Sequence, residues 1–371
     1  MSTLPDTLPE YHNRKPIMPQ LFDTLKLRDI VLKNRIGMSP MCQYSAHDGV
    51  AADWHFVHYG SRAIGGAALI IIEATAVVPE GRISLGDLGI WDDKHIEPLA
   101  RVARFAEEHG CVAAVQLAHA GRKASVGLGW ESQRTLKVGA WPTVAPSALP
   151  FGEGFAVPQA LDENGIHQVI SQFAAAAARA REAGFKALEI HAAHGYLLHQ
   201  FMSPLSNLRT DAYGGSFENR TRLTREVVSA IRTEWPERLP LLIRLSATDW
   251  EEGGWTADET VELCRALKGL GVDLVDVSSG GSTPTARIPV APNFQVGFAT
   301  RVRNEAGIAV AAVGLITEPE QADHIIRSEQ ADMVLIGRGI LRNPHWPMAA
   351  AHTLKQSATW PLPYQRAVPV D

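Results

Sequence analysis

Short apolar runs recur along the chain with helix-length stretches between them, the rhythm of βα units laid around a parallel sheet. Eight such runs stand out: Arg35 to Ser39, Ala67 to Ala74, Cys111 to Leu117, Ala187 to Ile190, Leu241 to Leu245, Leu274 to Ser278, Ala309 to Val313 and Met333 to Gly337. The second, Ala67-Ala68-Leu69-Ile70-Ile71-Ile72, is continuous rather than alternating, as a strand covered on both faces reads. Between the runs, Gln168 to Ala183 is an alanine-rich helix candidate with Gly184 just past its end as a C-cap, and Asp258 to Gly269 is another. Eight alternations favour a closed (β/α)8 TIM barrel over an open doubly wound sheet, which six or seven would suit. In such a barrel the chemistry gathers at the C-terminal ends of the strands.

One connection breaks the rhythm. Residues His119 to Asp162 carry Trp130, Trp141, Pro142, Pro146, Pro150 and Pro158 among many glycines and no helical period. An irregular segment of that length inside a compact domain is usually functional or disordered, and it reads as a lid inserted after strand three, with a surface excursion as the alternative. Residues 1–18 precede the first plausible element and read as an N-terminal arm. Residues 19–371 then form one barrel domain, ending in a tail over 355–371. The full length, 371 residues, permits two domains, but a barrel with insertions uses it as one.

Charge narrows the partners. Forty acidic residues against 35 Lys plus Arg give a formal net charge of −5, so no field suited to nucleic acid or an anionic membrane is expected. Cys42, Cys111 and Cys264 lie far apart without paired spacing, against a zinc site or a disulfide framework. Met1 to Gln20 has no apolar core of a signal peptide, and no run approaches the roughly 18 apolar residues of a membrane span. A cytoplasmic protein is the expectation.

The chemistry concentrates in His191-Ala192-Ala193-His194-Gly195-Tyr196, where the run Phe185 to Ile190 gives way to its loop. Two neutral imidazoles can each donate one N–H to a single oxygen, and a phenol with an ordinary pKa near 10 keeps a proton to give. The trio suits a substrate whose carbonyl is polarised while a neighbouring carbon is protonated. Other strand ends add Ser39, Cys42 and Tyr44, then Glu73 with Thr75, Gln116 with His119, and Arg244. Gly280-Gly281, Gly314 and Gly337-Arg338-Gly339 punctuate the last three strands, where barrels commonly bind phosphate; glycine lets backbone N–H groups approach an anion and Arg338 can grip it. His191-x-x-His194 and His55-x-x-His58 also have metal-ligand spacing. Glu73 is the only evident acid to complete such a set, so no metal is expected, and His55 and His58 read as helix or packing residues.

With these residues assembled, the chain resembles the Old Yellow Enzyme family of FMN-dependent ene-reductases, particularly its thermophilic-like branch of bacterial NADPH dehydrogenases and xenobiotic reductases. The likeness runs from about Leu21 to Arg366. It rests on Lys33-Asn34-Arg35-Ile36-Gly37-Met38-Ser39-Pro40-Met41-Cys42-Gln43-Tyr44, on Gln116-Leu117-Ala118-His119-Ala120-Gly121-Arg122-Lys123, and on His191 to Arg222. The resemblance implies a ping-pong oxidoreductase in which NADPH reduces FMN and an α,β-unsaturated carbonyl compound or nitroalkene then takes hydride at its β-carbon; nitro compounds are further acceptors.

It also implies residue roles. Ser39, Pro40, Met41, Cys42 and Ala74 pack along the flavin, Gln116 pairs with its pyrimidine edge, and Arg244 lies where negative charge accumulates on reduction. Gly314, Gly337 and Arg338 hold the ribityl phosphate. His191 and His194 bind the acceptor oxygen, Tyr196 protonates the α-carbon, and Tyr44 faces the substrate. Arg366 is expected to reach a neighbouring subunit's active site in a homodimer or homotetramer. A dienoyl-coenzyme A reductase type would need a cysteine cluster and a further domain after the barrel. A metal-dependent hydrolase or a non-catalytic barrel fits these residues less well.

Overall fold

A computed structural model describes residues 18–131, 136 and 138–369. Its core is eight parallel strands: β1 (Ile36–Met38), β2 (Leu69–Ala76), β3 (Val112–Ala118), β4 (Ala187–Ala192), β5 (Leu241–Ser246), β6 (Leu274–Ser278), β7 (Ala309–Val313) and β8 (Met333–Ile336). Each pairs in parallel with the next, and β8 pairs with β1, closing the barrel. The main outer helices are α1 (Asp53–Ile64), α2 (Ile96–Glu108), α3 (Glu163–Glu182), α4 (Arg222–Glu234), α5 (Ala257–Gly269), α6 (Val296–Ala306), α7 (Pro319–Arg327) and α8 (Trp346–Thr353).

The (β/α)8 barrel expected from the apolar rhythm is therefore the fold, with every expected strand bound within two residues of the observed one. The alanine-rich helix starts earlier than Gln168, at Glu163, because Asp162 caps it by accepting from the Gly165 N–H at 2.8 Å. Gly184 follows its end with φ +84°, a conformation that side chains resist.

Strand residues alternate between two apolar layers. Ile70 and Ile72 face the helices, whereas Leu69 and Ile71 join Ala114, Ala187, Leu242, Leu274, Ala311 and Met333 in the barrel interior. An antiparallel hairpin, Leu25–Leu27 with Ile30–Leu32, adds Leu27 and Leu32 to that interior cluster and so plugs the N-terminal end. Two residues further along the same inward faces, Ala114, Ala187, Leu242 and Leu274 give way to Gln116, Glu189, Arg244 and Asp276. The period-two pattern thus stacks a polar layer on the apolar one, towards the mouth.

The segment after β3 contains a 3-10 turn, Gly121–Lys123, and a small parallel pairing of Val144–Ala145 with Gln159–Ala160. The expected N-terminal arm lies outside the described residues except for Met18, as do residues 132–135 and 137 of the expected lid and residues 370–371 of the tail. No helix among the described residues is long and apolar enough to cross a membrane.

Candidate active site

The polar layer is held by pairs from neighbouring strands. Gln116 stands opposite Glu189 in register and donates from Nε2 to its Oε1 at 2.7 Å. Arg244 stands opposite Asp276, with Nε 2.9 Å from Oδ2, and its Nη2 donates to Ser39 Oγ at 3.3 Å. Both carboxyls are wholly buried, and burial raises both above the ordinary carboxylate range; Asp276 pushes Glu189 up further while Arg244 pulls both back. These acids were missed by motif reading because nothing in the local sequence of β4 or β6 marks them. Their strand phase, two residues beyond Ala187 and Leu274, was the available signal.

Above the layer, β4 ends in the turn that carries the imidazoles and phenol. His194 (φ +58°) and Gly195 (φ +71°) are both left-handed, and a Cβ on Gly195 would meet the Gly281 carbonyl oxygen at 2.1 Å. Glycine is therefore required there. Lys123 ties the turn down by donating from Nζ to the His194 carbonyl at 2.8 Å and the Gly281 carbonyl at 3.1 Å. Burial, helped by Arg122, lowers this lysine to about 8. His199 accepts the Gly195 N–H on Nδ1 at 2.9 Å, so its proton sits on Nε2, 3.0 Å from the buried Asp249. Lys123, His199 and Asp249 support the site although the sequence marked no role for them.

The imidazole rings of His191 and His194 lie 5.2 Å apart, nearly perpendicular, and the His191 ring is 4.8 Å from that of Tyr196. Burial first, then the Arg244 and Lys123 cations, drive both histidines well below their ordinary pKa, so both are neutral at pH 7. His191 Nδ1 accepts from the Ala193 N–H at 3.3 Å, which leaves Nε2–H as a donor. His194 Nε2 is engaged by Ser278 Oγ at 2.7 Å; when the serine gives its one proton there rather than to Gln295 Oε1, 3.4 Å away, Nδ1–H has no hydrogen-bond partner among the described residues. Burial pushes the Tyr196 phenol well above 10, keeping its proton in place.

The loop after β1 supplies the facing wall. The Cys42 thiol is within hydrogen-bonding reach of the Ala74 backbone and of the Tyr44 hydroxyl. Burial, then the Asp87 and Glu73 carboxyls, push that thiol up, so it stays neutral. Tyr44 packs edge-on against Trp130 of the segment after β3, centroids 5.8 Å apart. His55 and His58 lie buried on α1 as expected, His55 Nε2 being 3.4 Å from Glu73 Oε1.

Beside this wall is a cavity of about 240 Å³ into which Ser39, Pro40, Met41, Arg244, Gly314, Gly337 and Arg338 all face. Seven expected cofactor residues thus converge on one space. A Cβ on Gly337 would find only Met41 Sδ, at 3.7 Å, so backbone lies open to the cavity there. The Arg338 guanidinium and bare glycine backbone form a donor set for a phosphate, which fits the phosphate-bearing end of FMN, while Arg244 faces the same space from the barrel side. Ala74 and Tyr196 share a separate small pocket. Arg366, in a 3-10 turn over Leu362–Ala367, is exposed near the Tyr364 ring, which lies 5.9 Å from that of His345 on the outer surface.

Comparison with known proteins agrees with this geometry. Residues 20–357 match the NADH:flavin oxidoreductase / NADH oxidase family. An NADPH dehydrogenase of Listeria innocua is 47% identical over 352 residues, covering 94% of this chain and 99% of that protein. Morphinone reductase superimposes with a TM-score of 0.77 at 28% identity, over 93% of this chain and 92% of that one. The Old Yellow Enzyme homologue of Zymomonas mobilis superimposes at 0.76 with 25% identity, over 95% and 100%.

Proposed function

The chain belongs to the NADH:flavin oxidoreductase / NADH oxidase family, the Old Yellow Enzyme family, and from that membership we propose that it is an ene-reductase acting on activated alkenes. It is an oxidoreductase with FMN as cofactor and NADPH as reductant. FMN, when bound, supplies reversible two-electron hydride chemistry, so that NADPH and an alkene react in turn at one site. Arg338, Arg244, Gly314 and Gly337 would hold its phosphate end and the adjoining edge, Gln116 its pyrimidine edge, and Ser39 to Cys42 with Ala74 its flank.

The observation that carries the reading is the pair of neutral, perpendicular imidazoles beside a half-buried phenol. His191 Nε2–H and His194 Nδ1–H converge on one carbonyl or nitro oxygen and stabilise the negative charge it gains as hydride reaches the β-carbon. Tyr196 gives its phenolic proton to the α-carbon as the hydride arrives. Tyr44 borders the substrate space together with Trp130, which supports a lid role for the segment 119–162. A partner subunit's tail, through Arg366, would complete the site in a homodimer or homotetramer; the exposed position of Arg366 suits that reach.

Anaerobic NADPH oxidation with 2-cyclohexenone, a maleimide and a nitroalkene tests the proposal. Alkene-dependent oxidation that yields the saturated product is expected. NADPH oxidation by quinones alone, with every alkene unchanged, would refute it.

A further inference from the structure

The small pocket shared by Ala74 and Tyr196 has a second polar wall. Its volume is about 10 Å³, the space of one water molecule, and it is bounded by Ala74, Ala118, Gly81, Ile83, Asp87 and Tyr196 among others. Among the described residues lining it, only Asp87 and Tyr196 carry polar side chains. Asp87 is 2% exposed and has no cation paired with it among the described residues. Its Oδ1 accepts from Ser84 Oγ at 2.7 Å and the Ser84 N–H at 3.2 Å, and its Oδ2 accepts from the Ile83 N–H at 2.8 Å. A carboxyl offers about four such positions, so one on Oδ2 is left without a partner among the described residues, open to a proton or a water.

We propose that Asp87 is the group from which Tyr196 regains its proton, through one water molecule held in the pocket between them. This rests on the reading of Tyr196 as the proton donor. The phenol O–H breaks as the α-carbon C–H bond forms; a water proton moves to the phenolate oxygen, and the Asp87 carboxyl proton moves to that water. Asp87 is left as carboxylate and is refilled from solvent before the next turnover. One proton is consumed per alkene, and both electrons arrive as hydride from NADPH by way of FMN.

Two features fit the role. A phenolate at Tyr196 is disfavoured by burial and by its neighbours Cys42, Tyr44 and Asp87, so its proton must be replaced in the same event. Burial pushes Asp87 up to about 7, with Glu73 adding and the Ser84 and Ile83 donors opposing, so the carboxyl holds a proton near neutrality yet can release it. The titratable groups facing it are Cys42 and Tyr44 from the loop after β1, Glu73 from β2 and Tyr196 from the turn after β4. Burial holds His119, whose ring lies against Gly81, down at about 4, so it stays neutral there.

The test is stopped-flow reoxidation of the NADPH-reduced holoenzyme by 2-cyclohexenone between pH 5.5 and 8.5. Wild-type rates should fall as pH rises through about 7, because the donor is protonated Asp87. D87N should be at least tenfold slower at pH 6 and lose that fall, while its reduction by NADPH stays within twofold of wild type. S84A, which removes a donor that holds the carboxyl down but keeps the carboxyl, should move the fall to higher pH; a merely structural role for Asp87 would not shift it. A D87N enzyme with wild-type rate and profile overturns the relay, as does an unmoved S84A profile should D87N fail to fold. Y196F separates the two readings: slow turnover in Y196F beside a normal D87N sinks the relay alone, whereas a wild-type Y196F profile sinks the assignment of Tyr196 and the relay with it.

Discussion

Replacing Arg244 with Met should destabilise the barrel far more than the loss of one side chain suggests. No hydrogen bond reaches either carboxyl oxygen of Asp276 among the described residues, so the 2.9 Å contact from Arg244 Nε is its compensation for total burial. Breaking such a pair costs about 3–5 kcal/mol, because a buried charge is left alone or must take up a proton. An unfolding entropy of about 2.1 cal/mol/K per residue amounts to about 0.8 kcal/mol/K over this chain, so Tm should fall by about 4–6 °C. Removing both partners together, as R244M/D276L, leaves a layer with no orphaned acid and should recover at least half of that loss. Both variants should lower the flavin midpoint potential, since the cation at the reducible edge is gone in each. Scanning calorimetry on protein stripped of FMN excludes the contribution of ligand binding to Tm. The reasoning fails if the double variant melts no higher than the single one, or if R244M melts within about 1 °C of wild type.

The H191A/H194A variant loses two donors to an anionic oxygen, each worth about 1.5–3 kcal/mol, so p-hydroxybenzaldehyde should bind at least about 100-fold more weakly by its charge-transfer band. Unchanged affinity would remove the histidines from acceptor binding. The C42A variant should stay active with a flavin midpoint moved by about 10–20 mV, the equivalent of one weak thiol hydrogen bond, in spectroelectrochemical titration. An unmoved midpoint refutes a tuning role for the thiol. Truncation after Pro363 removes Arg366 from every subunit and should lower alkene turnover while FMN stays bound; full activity would exclude the tail from the site.

What the sequence shows and what it hides follow from the range of the interactions concerned. The eight strands are legible because each is a local run of apolar residues, and the turn at His191 to Tyr196 because a strand visibly ends there. The cavity residues are legible because glycine and arginine at the ends of β7 and β8 have a local signature. Glu189, Asp276, Ser246 and Ser278 are not, because their partners come from other strands. Ser246 holds the His194 N–H at 2.9 Å and Ser278 holds its ring, contacts created by the register that sets Ser246 opposite Ser278. That register exists only once the barrel closes. Asp87 is hidden for a further reason: it lies in the loop after β2, outside any strand phase, and its burial follows from folding of Ile83 and Ser84 back onto its own carboxyl.

The polar layer also explains how one inward-facing arginine can serve a reducible ring without an excess of buried charge. Arg244 is balanced by Asp276 in register, and Glu189, raised further by Asp276 beside it, is biased towards its neutral acid form. The layer therefore carries close to one cation and one anion beneath the mouth, with the guanidinium extending towards Ser39 and the cofactor cavity. Were Glu189 ionised as well, the layer would be net negative and would oppose the charge that reduction adds above it. The partly protonated acid pair thus keeps the field of Arg244 directed outwards. Gln116, anchored by Glu189 at 2.7 Å, is held in one orientation by the same arrangement. Charge balance and side-chain orientation at the mouth are consequently set by residues one layer below it, where the inward face of the strands turns from apolar to polar.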